Sequence, residues 1–130
     1  KGLAHAALIA KPGAQVLLAA ACPEGTGSDH YEEWLLSGGF HRHEEVIAAF
    51  VAEGFRVGPH KAYQIARDAS RLRVQLLSSM DPDFVRRLLL EPIDDLQAAL
   101  DVVLTQLAPG ARIGVMPAAN ATIPVLPVTA

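Results

Sequence analysis

Two short apolar runs, residues 14–21 (AQVLLAAA) and 72–78 (LRVQLLS), stand far apart in the chain with helical patterning between them. A strand that is apolar at nearly every position needs cover on both faces, which is the situation of strands in a parallel sheet. Strands that alternate with helices define an α/β chain, and the crossovers that join parallel strands are expected to be right-handed. The expected architecture is a three-layer α/β/α sandwich with a small, mostly parallel sheet.

The other elements fill in around these strands. The first ten residues read as helix, with Leu3, Ala7 and Leu8 on one side. Lys11-Pro12-Gly13 stops it, because a residue before proline avoids the helical region and glycine then turns the chain. A second helix opens at Ser28 or Asp29, either of which can cap it, and ends at Ser37-Gly38-Gly39. Trp34 on this helix is expected to pack in the core, the other reading being a contact with a partner domain. Residues 44–53 (EEVIAAFVAE) form an amphipathic helix with Val46, Ile47, Phe50 and Val51 inward, ended by Gly54. Residues 55–57 read as a short extended piece, and Gly58-Pro59 starts a helix through 69. Asp81-Pro82-Asp83 opens a short helix to about Leu89. Pro92-Ile93-Asp94 opens another to about Leu107, with Leu96, Ala99, Leu100, Val103 and Leu104 inward. Residues 112–116 (RIGVM) are expected as the third strand. Residues 122–128 form a last extended segment, which Pro124 and Pro127 confine to an edge or to coil.

A chain of 130 residues, 51% apolar and 19% charged, suits one domain with a real core rather than a disordered segment. The net charge of −3 and the spread of Lys and Arg give no clustered basic face for nucleic acid. One cysteine makes no internal disulfide, and the longest apolar run, residues 16–22, is far short of the roughly 20 residues that span a bilayer. With no leader pattern at the amino terminus, a cytoplasmic location is expected, with neither nucleic acid nor membrane as partner. The chain starts at Lys1 inside a helical pattern with no cap signal. Residues 1–130 are therefore expected to be a single domain, the carboxy-terminal domain of a longer two-domain protein. The other reading is the trimmed end of a complete small protein.

In a parallel sheet, ligands meet the loops beyond the carboxyl ends of the strands, here residues 22–28, 79–82 and 117–122. Gly25-Thr26-Gly27-Ser28 leads into a helix, so its N–H groups are placed to cradle an anion. It lacks the phosphate-loop lysine and the third glycine of the dinucleotide motif, and Glu24 and Asp29 repel phosphate. The alternative is a tight turn that needs glycine for a positive φ. Cys22 is either a nucleophile, if a base such as His30 activates it, or a packed thiol at a strand end. His41-Arg42-His43-Glu44-Glu45 offers metal-ligand residue types, but histidines two apart diverge on a helix and the intervening arginine disfavours a cation. That segment reads as a solvated entry to a helix, and no metal site is expected. His60-Lys61-Ala62-Tyr63-Gln64 sits at a helix start, where the dipole favours an anionic ligand; the alternative is an exposed first turn.

Taken in order, several of these stretches resemble the carboxy-terminal domain of the nickel-dependent lactate racemase family. They are Lys11-Pro12-Gly13-Ala14, the apolar strand, Cys22-Pro23-Glu24-Gly25-Thr26-Gly27, Gly58-Pro59-His60-Lys61-Ala62, the strand at 73–79, Val115-Met116-Pro117 and Thr122-Ile123-Pro124. The resemblance covers essentially the whole chain. It implies an enzyme that interconverts the enantiomers of a small 2-hydroxy acid, using a nickel-pincer pyridinium mononucleotide that takes a hydride from the substrate's Cα and returns it on the other face. The cofactor, its tethering lysine, the nickel-binding histidine and the proton-transfer histidines belong to the amino-terminal domain, so this chain carries no catalytic residue and no metal ligand. By the same resemblance, Lys1 matches a lysine that faces the interdomain cleft, where an ammonium suits a carboxylate or a phosphate. His60 stands where a member of the family has a tryptophan near the cleft, with Lys61 as the neighbouring alternative. Glu24, Gly25 and Gly27 would line the cleft as a loop. The exchange at His60 points to a 2-hydroxy acid other than lactate.

The leading expectation is thus the second, cleft-closing domain of a 2-hydroxy acid racemase or epimerase. It would be inactive alone, with the amino-terminal domain of the same protein and the 2-hydroxy acid as partners. The competing expectation is a non-catalytic α/β binding or oligomerisation module, a possible homo-oligomer with an apolar patch that a twin subunit covers. A stand-alone thiol enzyme using Cys22 is the third.

Overall fold

A computed structural model describes residues 1–125. The chain runs α1 (Gly2–Ala7), β1 (Gln15–Ala19), α2 (Asp29–Ser37), α3 (His43–Glu53), α4 (Pro59–Ala69), β2 (Arg73–Leu77), α5 (Pro82–Arg87), β3 (Glu91–Pro92) and α6 (Leu96–Gln106). The strands lie in the order β1-β2-β3 and pair in parallel, with Gln15 opposite Arg73, Ala19 opposite Leu77 and Gln75 opposite Glu91.

The two-residue period of the strands divides their side chains between two faces. On one face Val16, Leu18 and Val74 join Leu3, Ala7, Ala69 and Leu72 in a cluster under α1 and α4. A second cluster, Tyr31, Leu35, Val46, Ala62, Ala66 and Leu88, fastens α2 and α3 to α4. Ile65 of α4 packs on both clusters, so α4 is the element on which the two halves of the core meet. On the other face α6 lies against β1, and the amide of Gln15 donates to Gln106 at 2.9 Å. Helices on both faces of a small parallel sheet make the three-layer α/β sandwich that the alternation of elements implies. Among the described residues, no helix is long and apolar enough to cross a membrane.

Local chemistry explains several boundaries. The Ser28 hydroxyl accepts from the Tyr31 N–H at 3.3 Å and opens α2. The Asp81 carboxylate accepts from Asp83 and Phe84 at 2.9 and 3.0 Å and opens α5, where Pro82 fills the first turn. Asp95 accepts from Ala98 at 2.8 Å and opens α6.

The structure corrects the expected third strand. Residues 112–116 form no strand, and Ile113 and Val115 lie exposed; the third strand is Glu91–Pro92. An apolar run reads as a strand locally, but only a free sheet edge makes it one. The edge of β2 is taken by the short segment that α5 delivers, and the Ile93 N–H donates to Leu76 O at 3.0 Å. Pro92 has no N–H to offer a further strand, which suits it to an edge. Because Pro92 is in the sheet, α6 starts later than the proline-based expectation, with Asp95 as its cap.

Residues 55–57 form no strand either, and α1 ends at Ala7 rather than at residue 10. The extended segment expected at 122–128 has no strand over 122–125, and its remainder lies outside the described residues. Of the positions expected inward, Val51 (69% exposed), Leu8, Leu96 and Leu104 are exposed. For α6 the reason is what lies beneath it: Gln15, Arg73 and Gln75 give that face of the sheet a polar floor, so only Val103 of α6 is buried.

Candidate functional site

The geometry of the sheet places the candidate residues. α1 runs back along the sheet: Gly2 packs near Leu18 at the carboxyl half of β1, and the far end of the helix is held by Arg71, just before β2. α4 leads into β2 and therefore also runs back along it. Both helices accordingly begin at the carboxyl end of the sheet, beside the loops that follow β1 and β2. Lys1 precedes α1 and is exposed; His60, half-buried, and Lys61, exposed, lie in the first turn of α4.

The loops at this end are stitched together. Ala20 N–H donates to Leu77 O at 2.9 Å and Ser79 N–H to Ala21 O at 3.0 Å, so the segments leaving β1 and β2 stay paired past the strands. The turn at 117–121 closes over α1, where the His5 Nδ1 lies 2.6 Å from Ala119 O and Ala119 abuts Gly2. All three loops expected from the topology therefore adjoin the carboxyl end.

The glycine loop is a self-satisfied turn. Gly25 N–H donates to Cys22 O at 3.0 Å, Gly27 N–H to Glu24 O at 3.1 Å, and Thr26 N–H to the Glu32 carboxylate at 3.3 Å. The Thr26 hydroxyl donates to the same carboxylate at 2.6 Å, and Ser28 N–H donates to that hydroxyl at 3.3 Å. Gly25 (φ +61°) and Gly27 (φ +68°) take the left-handed conformation that favours glycine. With these N–H groups bonded internally and Glu32 seated over them, the loop is no anion cradle. Glu24 is exposed. Cys22 is half-buried in a left-handed conformation (φ +49°), and no hydrogen bond joins it to His30 among the described residues.

His60 is held by its own turn. Gly58 N–H donates to Nδ1 at 3.1 Å, so the neutral ring carries its proton on Nε2, which is left as the donor. The ring also lies 5.5 Å from that of Phe55. Phe55 is the outer end of an aromatic series in which Phe50 meets Trp34 (6.5 Å), Phe55 (6.4 Å) and Tyr63 (4.9 Å). Trp34 thus packs between α2 and α3, and its Nε1–H donates to Glu53 at 2.9 Å. Lys61 reaches only Gln64 of its own helix, at 3.4 Å.

His41 and His43 do not join a metal-binding group: among the described residues no three His, Cys, Asp or Glu side chains converge to hold a metal ion. Burial favours the neutral form of His43 and lowers its pKa from 6.5, against the opposing charge of Glu44. A histidine whose folded pKa is depressed binds fewer protons folded than unfolded, so stability is lost as pH falls through the unfolded value of about 6.5. Thermal melts at pH 7.5 and 5.5 are expected to show a smaller loss for His43→Asn than for the wild type; equal losses would contradict this.

Sequence reasoning missed Arg71, His5 and the seat of Gly58 on α2. Arg71 and His5 each bond across more than sixty positions of sequence, to which no local pattern points.

The fold and this arrangement define the class of the chain, a three-layer α/β domain with its candidate residues at the carboxyl end of a parallel sheet. No protein-family model matches the chain, and no curated protein does. Its fold is similar to a solved structure, the lactate racemase apoprotein from Thermoanaerobacterium thermosaccharolyticum, with a TM-score of 0.72 and 20% identity. The match covers 84% of this chain and 27% of that protein, so this chain corresponds in fold to only about a quarter of its length.

Proposed function

We propose that this chain is the cleft-closing domain of a racemase or epimerase of small 2-hydroxy acids. In this reading a further, amino-terminal domain of the same protein holds the nickel-pincer pyridinium mononucleotide. The observation that carries the reading is the shared direction of α1 and α4, which sets Lys1, His60 and Lys61 at one end of the sheet beside the loops. The fold of a lactate racemase apoprotein supports it. Among the described residues no three His, Cys, Asp or Glu side chains converge on one point, and in this reading the nickel is held by the amino-terminal domain. The Lys1 ammonium binds the substrate carboxylate or the cofactor phosphate, and the His60 Nε2–H lines the wall facing the substrate.

The test is the parent protein, supplied with cofactor and nickel, followed by polarimetry across a panel of 2-hydroxy acids. One of them is expected to racemise, while this chain alone does nothing. Lys1→Ala is expected to raise KM by about tenfold or more, the loss of one charge-assisted hydrogen bond. If no 2-hydroxy acid racemises and Lys1→Ala leaves ligand binding unchanged, the reading fails.

One observation favours a second reading, a non-catalytic interaction module. Val51, Phe55 (75% exposed) and Val57 (74%) are exposed large apolar residues at the end of α3 and in the segment that leads into α4. Concentration-dependent dimerisation on gel filtration, abolished by Val57→Asp, would support it.

A further inference from the structure

Beyond the carboxyl-end loops, the segment 41–43 acquires a meaning from its neighbours across the fold. The entry to α3 faces the end of α5 and strand β3 across an open groove of about 440 Å³. His41, Arg42, His43 and Arg86 line it, with Leu90 and Pro92 as an apolar wall. None of the residues of the loops after β1 and β2 takes part.

The charged side chains lining this groove are mostly basic, and the carboxylates of Glu45 and Asp83 pair with its arginines from outside the lining. The only acidic residue lining it is Glu91, and its carboxylate accepts from Gln75 at 2.7 Å. Gln75 faces α6, on the opposite side of the sheet from Val74, which lines the groove, so the Glu91 carboxylate is drawn away. Each guanidinium engages a single carboxylate. Arg42 bonds the Glu45 carboxylate through Nε at 3.1 Å, and Arg86 bonds Asp83 through Nη1 at 2.7 Å. Their other N–H groups have no partner among the described residues. Both ion pairs are exposed, and such pairs contribute little, so the arginines can turn to a ligand at small cost. Glu45 also accepts the N–H groups of His41 and Arg42, at 2.8 and 3.3 Å, which fixes the backbone that carries these two side chains. On the other wall Leu89, in a left-handed conformation (φ +61°), swings the chain from α5 back into β3 and so brings Leu90 and Pro92 to the groove.

We propose that this groove binds a small, doubly charged oxyanion, a phosphoryl group or a pair of carboxylates, on a small organic body. Two guanidinium forks match the acceptor geometry of such a group, the imidazoles add donors, and the leucine and proline wall takes the apolar part. The inference does not depend on the function proposed above.

The test is an NMR titration of the 130-residue chain with inorganic phosphate and, separately, with succinate, at ionic strength held constant with chloride. Saturable shifts at the amides of His41, Arg42, His43 and Arg86 are expected with at least one probe; the probe that binds identifies the phosphoryl or the dicarboxylate class. Arg42→Gln/Arg86→Gln is expected to weaken that binding by about tenfold or more, the loss of two charge-assisted contacts. Each single substitution, with an unchanged melting curve, is expected to weaken it by a smaller factor. The proposal is overturned if neither probe gives a saturable shift, if chloride alone reproduces the shifts, or if the double variant binds like the wild type.

Discussion

Gly58→Ala is expected to cost the domain about 3 kcal/mol or more. Two causes act together. The backbone at Gly58 has φ +96° and ψ −76°, a conformation that side-chain-bearing residues rarely adopt. A Cβ at this position would also lie 2.5 Å from the Cβ of His30 and 3.1 Å from its carbonyl carbon. The start of α4 rests on the first turn of α2, and neither backbone can retreat without opening the cluster of Tyr31, Leu35 and Ala62. Gly54→Ala separates the two causes, because its φ is +84° but nothing lies within 4 Å of the added carbon. It is expected to cost only the strain, about 1–2 kcal/mol. Denaturant midpoints at constant slope measure both. Equal losses for the two variants would show that the contact with His30 contributes nothing. Because Gly58 N–H holds His60 Nδ1, a Gly58 variant that still folds is also expected to loosen the imidazole.

Arg71→Ala is the second large effect, expected at about 1.5–3 kcal/mol from the loss of charge-assisted hydrogen bonds at a half-buried site. Its guanidinium donates to Ala7 O and, at 3.2 Å, to Ala10 O, carbonyls that the end of α1 would otherwise leave unpaired. A six-residue helix has no stability of its own, so α1 depends on this clamp and on the packing of Leu3 and Ala7. Arg71→Lys is expected to recover only part of the loss, since an ammonium does not reproduce the planar fork. Hydrogen exchange should localise the effect, with the α1 amides exposed sooner and those of α3 and α4 little changed. Protection of α1 equal to that of the wild type would contradict the clamp. The same clamp bears on Lys1, which stands at the start of α1.

The legible parts of this chain are those whose cause is local. An apolar strand, a serine or aspartate cap and a proline in a first turn act within a few residues of themselves. β1, β2, α2, α5 and the three-layer architecture could accordingly be read without coordinates. The same local signals failed where competition decides. Residues 112–116 look more like a strand than Glu91–Pro92, yet Glu91–Pro92 holds the free edge of β2. Leu96 and Leu104 look inward on α6, yet α6 covers Gln15, Arg73 and Gln75 rather than an apolar face.

The candidate residues divide in the same way. The sequence identified His60 and Lys61 as residues at a helix start, pointed to Lys1 only through the family resemblance, and left the glycine loop open between a turn and an anion cradle. The tertiary structure decided that question through Glu32, whose carboxylate takes the Thr26 hydroxyl and N–H. It also decided that the two helix starts lie at the same end of the sheet, and that His41 and His43 share a groove with Arg86. By itself the sequence determined the class of fold, because hydrophobic periodicity and turn chemistry are properties of neighbouring residues. Which residues meet at a site was left to the packing of α1 and α4 on the sheet, because those contacts join positions that sequence spacing does not relate.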